Sequence, residues 1–161
     1  RRHYALELEK YWNWLPQNFR IFLENQSSKL NVHNSFQRRI AKQFNGAGLS
    51  KSDRLINYFK WTNDQILKSL FLPEFQEIIQ NSNSKNPMSN FLSSISPSVS
   101  RLDQMLALEQ RFFLSDHNLN YTDKMSMAAG VEVRVPFLDL DLVDFAMCIP
   151  NKYKQRRSIG K

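Results

Sequence analysis

This sequence predicts a mainly α fold with at most one or two short strands, and three observations carry that expectation. Glycine is scarce, at 4 in 161 residues, so the tight turns of a β-rich chain are poorly supplied. Apolar residues recur at helical spacing over most of the length, and capping residues stand in front of several of those runs. Only Val131, Val133 and Val135 alternate with the period of two that a strand needs.

In chain order, residues 4–14 read as an aromatic-rich helix, with Tyr4, Leu6, Leu8, Tyr11, Trp12 and Trp14. Pro16 is suited to opening a second helix through about Glu24, and Asn25 to Lys29 reads as a polar break. Ser35 is placed to cap a helix bearing Phe36, Ile40 and Phe44, which stops near Gly46 and Gly48. Ser50 with Asp53 matches a helix start, since the hydroxyl can accept from an orphan amide while the acid faces the positive helix end. Thr62 to Gln65 has capping-box spacing, and Pro73 with Glu74 opens a short helix through Ile79. The Ser- and Asn-rich stretch 81–98 reads as a loop or linker within one domain.

Ser100 then caps a strong helix with Leu102, Met105, Leu106, Phe112 and Phe113 on one stripe. A further helical stretch ends at Gly130. In the alternating segment that follows, the valines share one face and Glu132 and Arg134 the other, about 7 Å apart at strand rise. Pro136 ends it. Asp139, Asp141 and Asp144 crowd the start of the next helix, where the helix dipole favours carboxylates. Leu142, Val143, Ala146 and Ile149 are its expected buried side, and Pro150 its stop.

At 161 residues, 42% of them hydrophobic and with twelve Phe, the chain can bury one core, as one domain or a large fragment of one. No apolar run approaches the roughly 20 residues of a membrane span, and the N-terminal residues lack a secretory apolar core. The single Cys148 cannot form an internal disulfide, which points to a reducing, cytoplasmic setting, and its apolar helix predicts a buried, inert thiol. The formal net charge is +7, and five of those charges (Lys152, Lys154, Arg156, Arg157 and Lys161) lie in the last eleven residues, which hold no acid. A local anion site fits that layout better than a broad nucleic-acid-binding face, which would spread basic residues along one surface and give strongly salt-dependent binding. A solvated basic loop is the plainer alternative.

His3, His33 and His117 have no metal-ligand spacing with Cys148, and no Gly-rich phosphate loop is present. Met125, Met127 and the small residues between and after them suggest close helix packing. Glu132 with Arg134 reads either as a surface ion pair or as a pair that orients a ligand, because the flanking segments are apolar. Lys161 follows a Ser-Ile-Gly approach and is either solvated or a compact cation for a phosphate or acyl group.

From Asp123 to Ala146, DKMSMAAGVEVRVPFLDLDLVDFA resembles the synthetase domain of glutamine-hydrolysing asparagine synthetases. It shares the family's Asp-basic-x-Ser-Met-Ala opening, its Glu-x-Arg-x-Pro centre and its Leu-Asp close. Residues 1–16 resemble the stretch after the family's DELFGGY motif, and Ile159-Gly160-Lys161 falls where a family lysine is expected. The glutaminase domain with its N-terminal cysteine and the SGGxDS pyrophosphate loop are not in this sequence. The resemblance therefore implies that residues 1–161 are the helical C-terminal portion of an α/β ATP-pyrophosphatase-type synthetase domain, inactive alone. For the parent it implies an ATP- and Mg2+-dependent ligase that adenylates aspartate and forms asparagine with ammonia delivered from a glutaminase domain. A homodimer of the full-length enzyme belongs to the same expectation. Lys161 would be the catalytic cation, Glu132 and Arg134 would line or brace the site, and Asp123 and Asp139 would anchor neighbouring turns. Related synthetases that close β-lactam rings, cyclise peptides or amidate sugars, and a basic helical nucleic-acid-binding module, are the alternatives.

Overall fold

In a computed structural model, which describes residues 2–31, 33–62, 64–80, 86–156 and 159–160, the chain is mainly helical. The first half runs α1 (Arg2–Glu9), α2 (Gln17–Ser28), α3 (Ser35–Phe44), α4 (Lys51–Asn57), α5 (Asp64–Ser69) and α6 (Pro73–Gln80). It continues with α7 (Asn86–Ser94), α8 (Arg101–Leu108), a π-helical segment (Glu109–Leu119) and α9 (Asn120–Ala128). A 3-10 turn (Pro136–Leu138), α10 (Leu140–Cys148) and α11 (Asn151–Lys154) lead into β1 (Gln155–Arg156) and β2 (Ile159–Gly160), an antiparallel pair. No helix among the described residues is long and apolar enough to cross a membrane. Contacts divide the chain into two compact units, one of Arg2 with Leu8–Ser94, the other of His3–Glu7 with Ile95–Lys161.

The first unit is organised around a buried arginine. Arg54, on α4, donates from Nε to the Gly46 carbonyl at 3.1 Å and from Nη2 to the carbonyls of Ala47 at 2.7 Å and Leu49 at 3.3 Å. Its Nη1 donates to Asn13 Oδ1 at 3.2 Å and lies 3.6 Å from Glu9 Oε2. The guanidinium also sits 4.6 Å from the centre of the Trp12 ring, which in turn meets Phe44 at 5.4 Å. The same turn is held from its amide side by Glu24, whose two oxygens accept from the Gly46 and Gly48 amides at 2.8 and 3.0 Å. Gly46 has φ +76°, a conformation that favours glycine, and a Cβ there would meet Asn57 Nδ2 at 2.6 Å and have to displace that side chain. Leu55, Ile56, Phe59 and Leu92 complete the buried apolar set.

In the second unit Leu6, Met105 and Leu108 are buried, and His3 Nε2 contacts Glu109 Oε2 at 3.1 Å. Ser100 caps α8, accepting from the Asp103 amide at 3.1 Å and donating to its carboxylate at 2.7 Å. Ser50 and Asp53 make the same exchange at α4, as expected from the sequence.

Several expectations require correction. The first helix stops at Glu9, and residues 10–14 are turns, a tightening that brings Glu9, Trp12 and Asn13 together on Arg54. The polar stretch from Asn25 is helical through Ser28, with the Ser27 and Ser28 hydroxyls bonded to carbonyls three residues back. Asn34, not Ser35, caps α3, its side chain accepting from the Phe36 and Gln37 amides. Within 81–98 a helix, α7, occupies Asn86–Ser94; Pro87 sits in its first turn, where the missing amide costs nothing, and Leu92 is buried. The boundary between the two compact units falls at the end of this helix. The long stripe after Ser100 is not one α-helix: α8 ends at Leu108 and the turns widen to π geometry over Glu109–Leu119, where the Ser115 hydroxyl also donates to the Arg111 carbonyl.

Replacing Arg54 with Met should leave the Glu9 carboxylate and three carbonyls without their shared donor, lowering stability by about 3–5 kcal/mol. Arg54→Lys should recover only part, since an ammonium lacks the planar fork. Urea unfolding midpoints at constant slope measure both changes.

Candidate functional site

The segment singled out in the sequence lies between two well-stopped helices. At the end of α9 the Val131 amide bonds the Ser126 carbonyl at 2.9 Å and the Gly130 amide bonds the Met127 carbonyl at 2.9 Å. With Gly130 at φ +68°, this is a Schellman closure, and it turns the chain sharply out of the helix. On the far side Asp139 caps α10, accepting from the Asp141 and Leu142 amides at 3.1 and 3.2 Å. Val135 is held extended by the proline that follows it.

Between these stops residues 131–135 are extended but unpaired, so the expected strand is not formed among the described residues. The predicted alternation survives locally: Arg134 Nε donates to Glu132 Oε1 at 3.0 Å, as side chains two apart on an extended chain can. Both are open to solvent, with side chains 86% and 72% exposed, so the pair is worth only about 0–1 kcal/mol to the fold. The contact uses Nε and leaves the two terminal guanidinium nitrogens available to an anion.

Of the sequence-predicted site residues, the structure joins Glu132 to Arg134 and commits Asp139 to its own helix start. Asp123 is exposed on α9, its carbonyl accepting from the Ser126 hydroxyl at 3.0 Å. Lys161 lies outside the described residues. The apolar surroundings are also more open than expected. Val131, Phe137, Leu140, Leu142, Phe145 and Met147 are exposed, as are Met125 and Met127, while Val143 and Ile149 of the expected buried side of α10 are half-buried. Cys148 is accordingly an exposed free thiol rather than a buried one. Among the described residues no group of three or more His, Cys, Asp or Glu side chains is placed to hold a metal ion.

A cluster that sequence reasoning missed lies at the base of the basic tail. Lys154 Nζ donates to Asp103 Oδ1 at 2.9 Å and to the Met147 carbonyl at 3.0 Å, while Asn151 donates to Ser100 Oγ. Burial pushes the Asp103 carboxyl upward, but the hydrogen bonds from Ser100, Lys154 and Asn151 and the Lys154 charge outweigh it. They hold its pKa below the ordinary 3.8. The depressed pKa means that the folded state gains stability from the ionised carboxylate above the unfolded value and loses it as pH falls through the folded one. The stability gap between wild type and Asp103→Asn should therefore be full above about pH 5 and close as pH falls below the ordinary value, read from urea unfolding at each pH.

The sequence profile of the family described as asparagine synthase matches residues 1–161. Over 37 residues the chain is 54% identical to a "putative asparagine synthetase (glutamine-hydrolysing) 1" of Methanocaldococcus jannaschii, a stretch covering 23% of this chain and 7% of that relative. No solved structure matches the chain. With a match running its whole length, the chain belongs to the asparagine synthase family.

Proposed function

We infer that this chain is part of a ligase that activates the side-chain carboxylate of aspartate with ATP and converts the acyl-adenylate to asparagine. The family match over residues 1–161 carries this reading. In the reaction the carboxylate oxygen bonds the α-phosphorus and pyrophosphate leaves; ammonia then attacks the acyl carbon and AMP leaves with the bonding pair. Both steps build negative charge, first on phosphoryl oxygens and then on the acyl oxygen, and both need a fixed cation where it appears. Arg134 is suited to that task because Glu132 holds its Nε and leaves two donors for an anion. Lys161 is proposed as the second cation, delivered from the basic tail.

Aspartate, ATP and ammonia released from glutamine are the proposed substrates, with a glutaminase domain as the ammonia source and the cytoplasm as the setting. Magnesium accompanies ATP in this reading. The described residues hold no cluster of acids that fits the ion, and the roles given to Glu132 and Arg134 do not depend on touching it.

In the enzyme containing this chain, Arg134→Ala and Lys161→Ala should each lower kcat for aspartate-dependent pyrophosphate release, with ammonia supplied directly, by about 10²–10³-fold. Neither Arg134→Ala nor Glu132→Gln should move the melting temperature appreciably, because the pair is exposed. Turnover within about twofold of wild type for Lys161→Ala would remove its role and leave the family assignment standing. Absence of aspartate-dependent pyrophosphate release by the wild-type enzyme would overturn the reading itself.

A further inference from the structure

Lys154 and Asp103 are 51 residues apart in sequence, yet they close a polar ring at the start of α8. Ser100 Oγ accepts from the Asp103 amide and from Asn151 and donates to Asp103 Oδ2; Asp103 Oδ1 accepts from Lys154. Asn151 and Lys154 are the first and last residues of α11, so both ends of that single turn are tied to the same helix start. Lys154 is largely withdrawn from water, at 16% side-chain exposure, and its second tie, to the Met147 carbonyl, reaches back to α10. An ammonium held by a carboxylate and a carbonyl in a part-buried position has little freedom to leave.

The next residue, Gln155, begins β1, and the register pairs Gln155 with Gly160 and Arg156 with Ile159. Gly160, the residue that precedes Lys161, is therefore laddered to the immediate neighbour of Lys154. Two strands of two residues each cannot hold themselves in water and take their position from whatever anchors them. Here the anchor is the ring on α8.

We propose that Lys154 and Asp103 are positioning residues for the synthetase reaction, the Lys154–Asp103 contact fixing the place from which the chain leaves Gly160 toward Lys161. The inference rests on the acyl-adenylate reading above and assigns the pair no contact with substrate. In this reading Lys154 supplies placement rather than charge.

The test uses the enzyme containing this chain, with ammonia, ATP and aspartate supplied. Lys154→Met and Asp103→Asn should each lower kcat for pyrophosphate release by about 10- to 100-fold, the loss expected from misplacing a reacting group by about 1 Å. KM for ATP and aspartate should stay within about twofold, a split that general loss of folded protein does not produce once active enzyme is counted by nucleotide binding. Lys154→Arg, which keeps the cation, should restore most of kcat. Should Lys154→Met fail to fold, Asn151→Ala removes the other tie of α11 and should give a smaller kcat loss, about 3- to 10-fold, again at unchanged KM. Normal kcat per folded molecule in Lys154→Met, or in Asn151→Ala if that variant alone folds, overturns the positioning role. A wild-type enzyme that releases no pyrophosphate defeats the underlying reading instead, so the two failures are distinct.

Discussion

The first unit depends on placing one guanidinium out of water without leaving any of its donors idle. Arg54 is buried, and an uncompensated charge there would cost several kcal/mol. The fold meets that demand with three carbonyls of one turn, an asparagine oxygen, a glutamate and the face of a tryptophan. The consequences spread outward. The turn must present Gly46, Ala47 and Leu49 carbonyls inward, which forces the positive φ of Gly46 and leaves the Gly46 and Gly48 amides for Glu24. Glu9 is itself only 2% exposed, and the Tyr58 hydroxyl donates to its Oε1 at 2.6 Å. The end of α1, the α2 carboxylate, the 45–49 turn and α4 are thereby one electrostatic assembly.

The contrast with Glu132 and Arg134 separates structural from chemical charge. Both pairs join an arginine to a glutamate. Arg54 and Glu9 are 1% and 3% exposed, and their contact is part of what specifies the fold. Arg134 and Glu132 are 86% and 72% exposed, and their contact contributes almost nothing to it. The Glu132–Arg134 pair is one the fold does not need, held on a stretch stopped at both ends by strong local caps. The apolar surface around it, including Phe137, Leu140 and Phe145, is exposed, and a thiol expected in a core, Cys148, is exposed with it.

Much of the local architecture was legible in the residues. Ser50 and Ser100 cap as their Ser-x-x-Asp spacing implies, Pro16 precedes a helix, Gly130 closes one, and Glu132 faces Arg134 across a period of two. These are contacts within about four residues, and side-chain length with backbone geometry is enough to set them. The same local rules miss the helix at Asn25–Ser28 and at Asn86–Ser94, where serine and asparagine suggest breaks but the chain is helical, with Ser27 and Leu92 buried.

Burial was not legible in this way. Nothing near Arg54 in sequence marks it as the centre of a core, because Glu9 and Asn13 come from more than forty residues away. Likewise Lys154 reads as one more charge in a basic tail until the fold brings Asp103 across 51 residues to meet it. The order of helices and the chemistry available at the 131–139 bend follow from bonds between near neighbours and were written in the chain. Which charges are desolvated, and hence which hold the molecule and which stay free to act, depends on distant groups converging, and a one-dimensional pattern carries no measure of that.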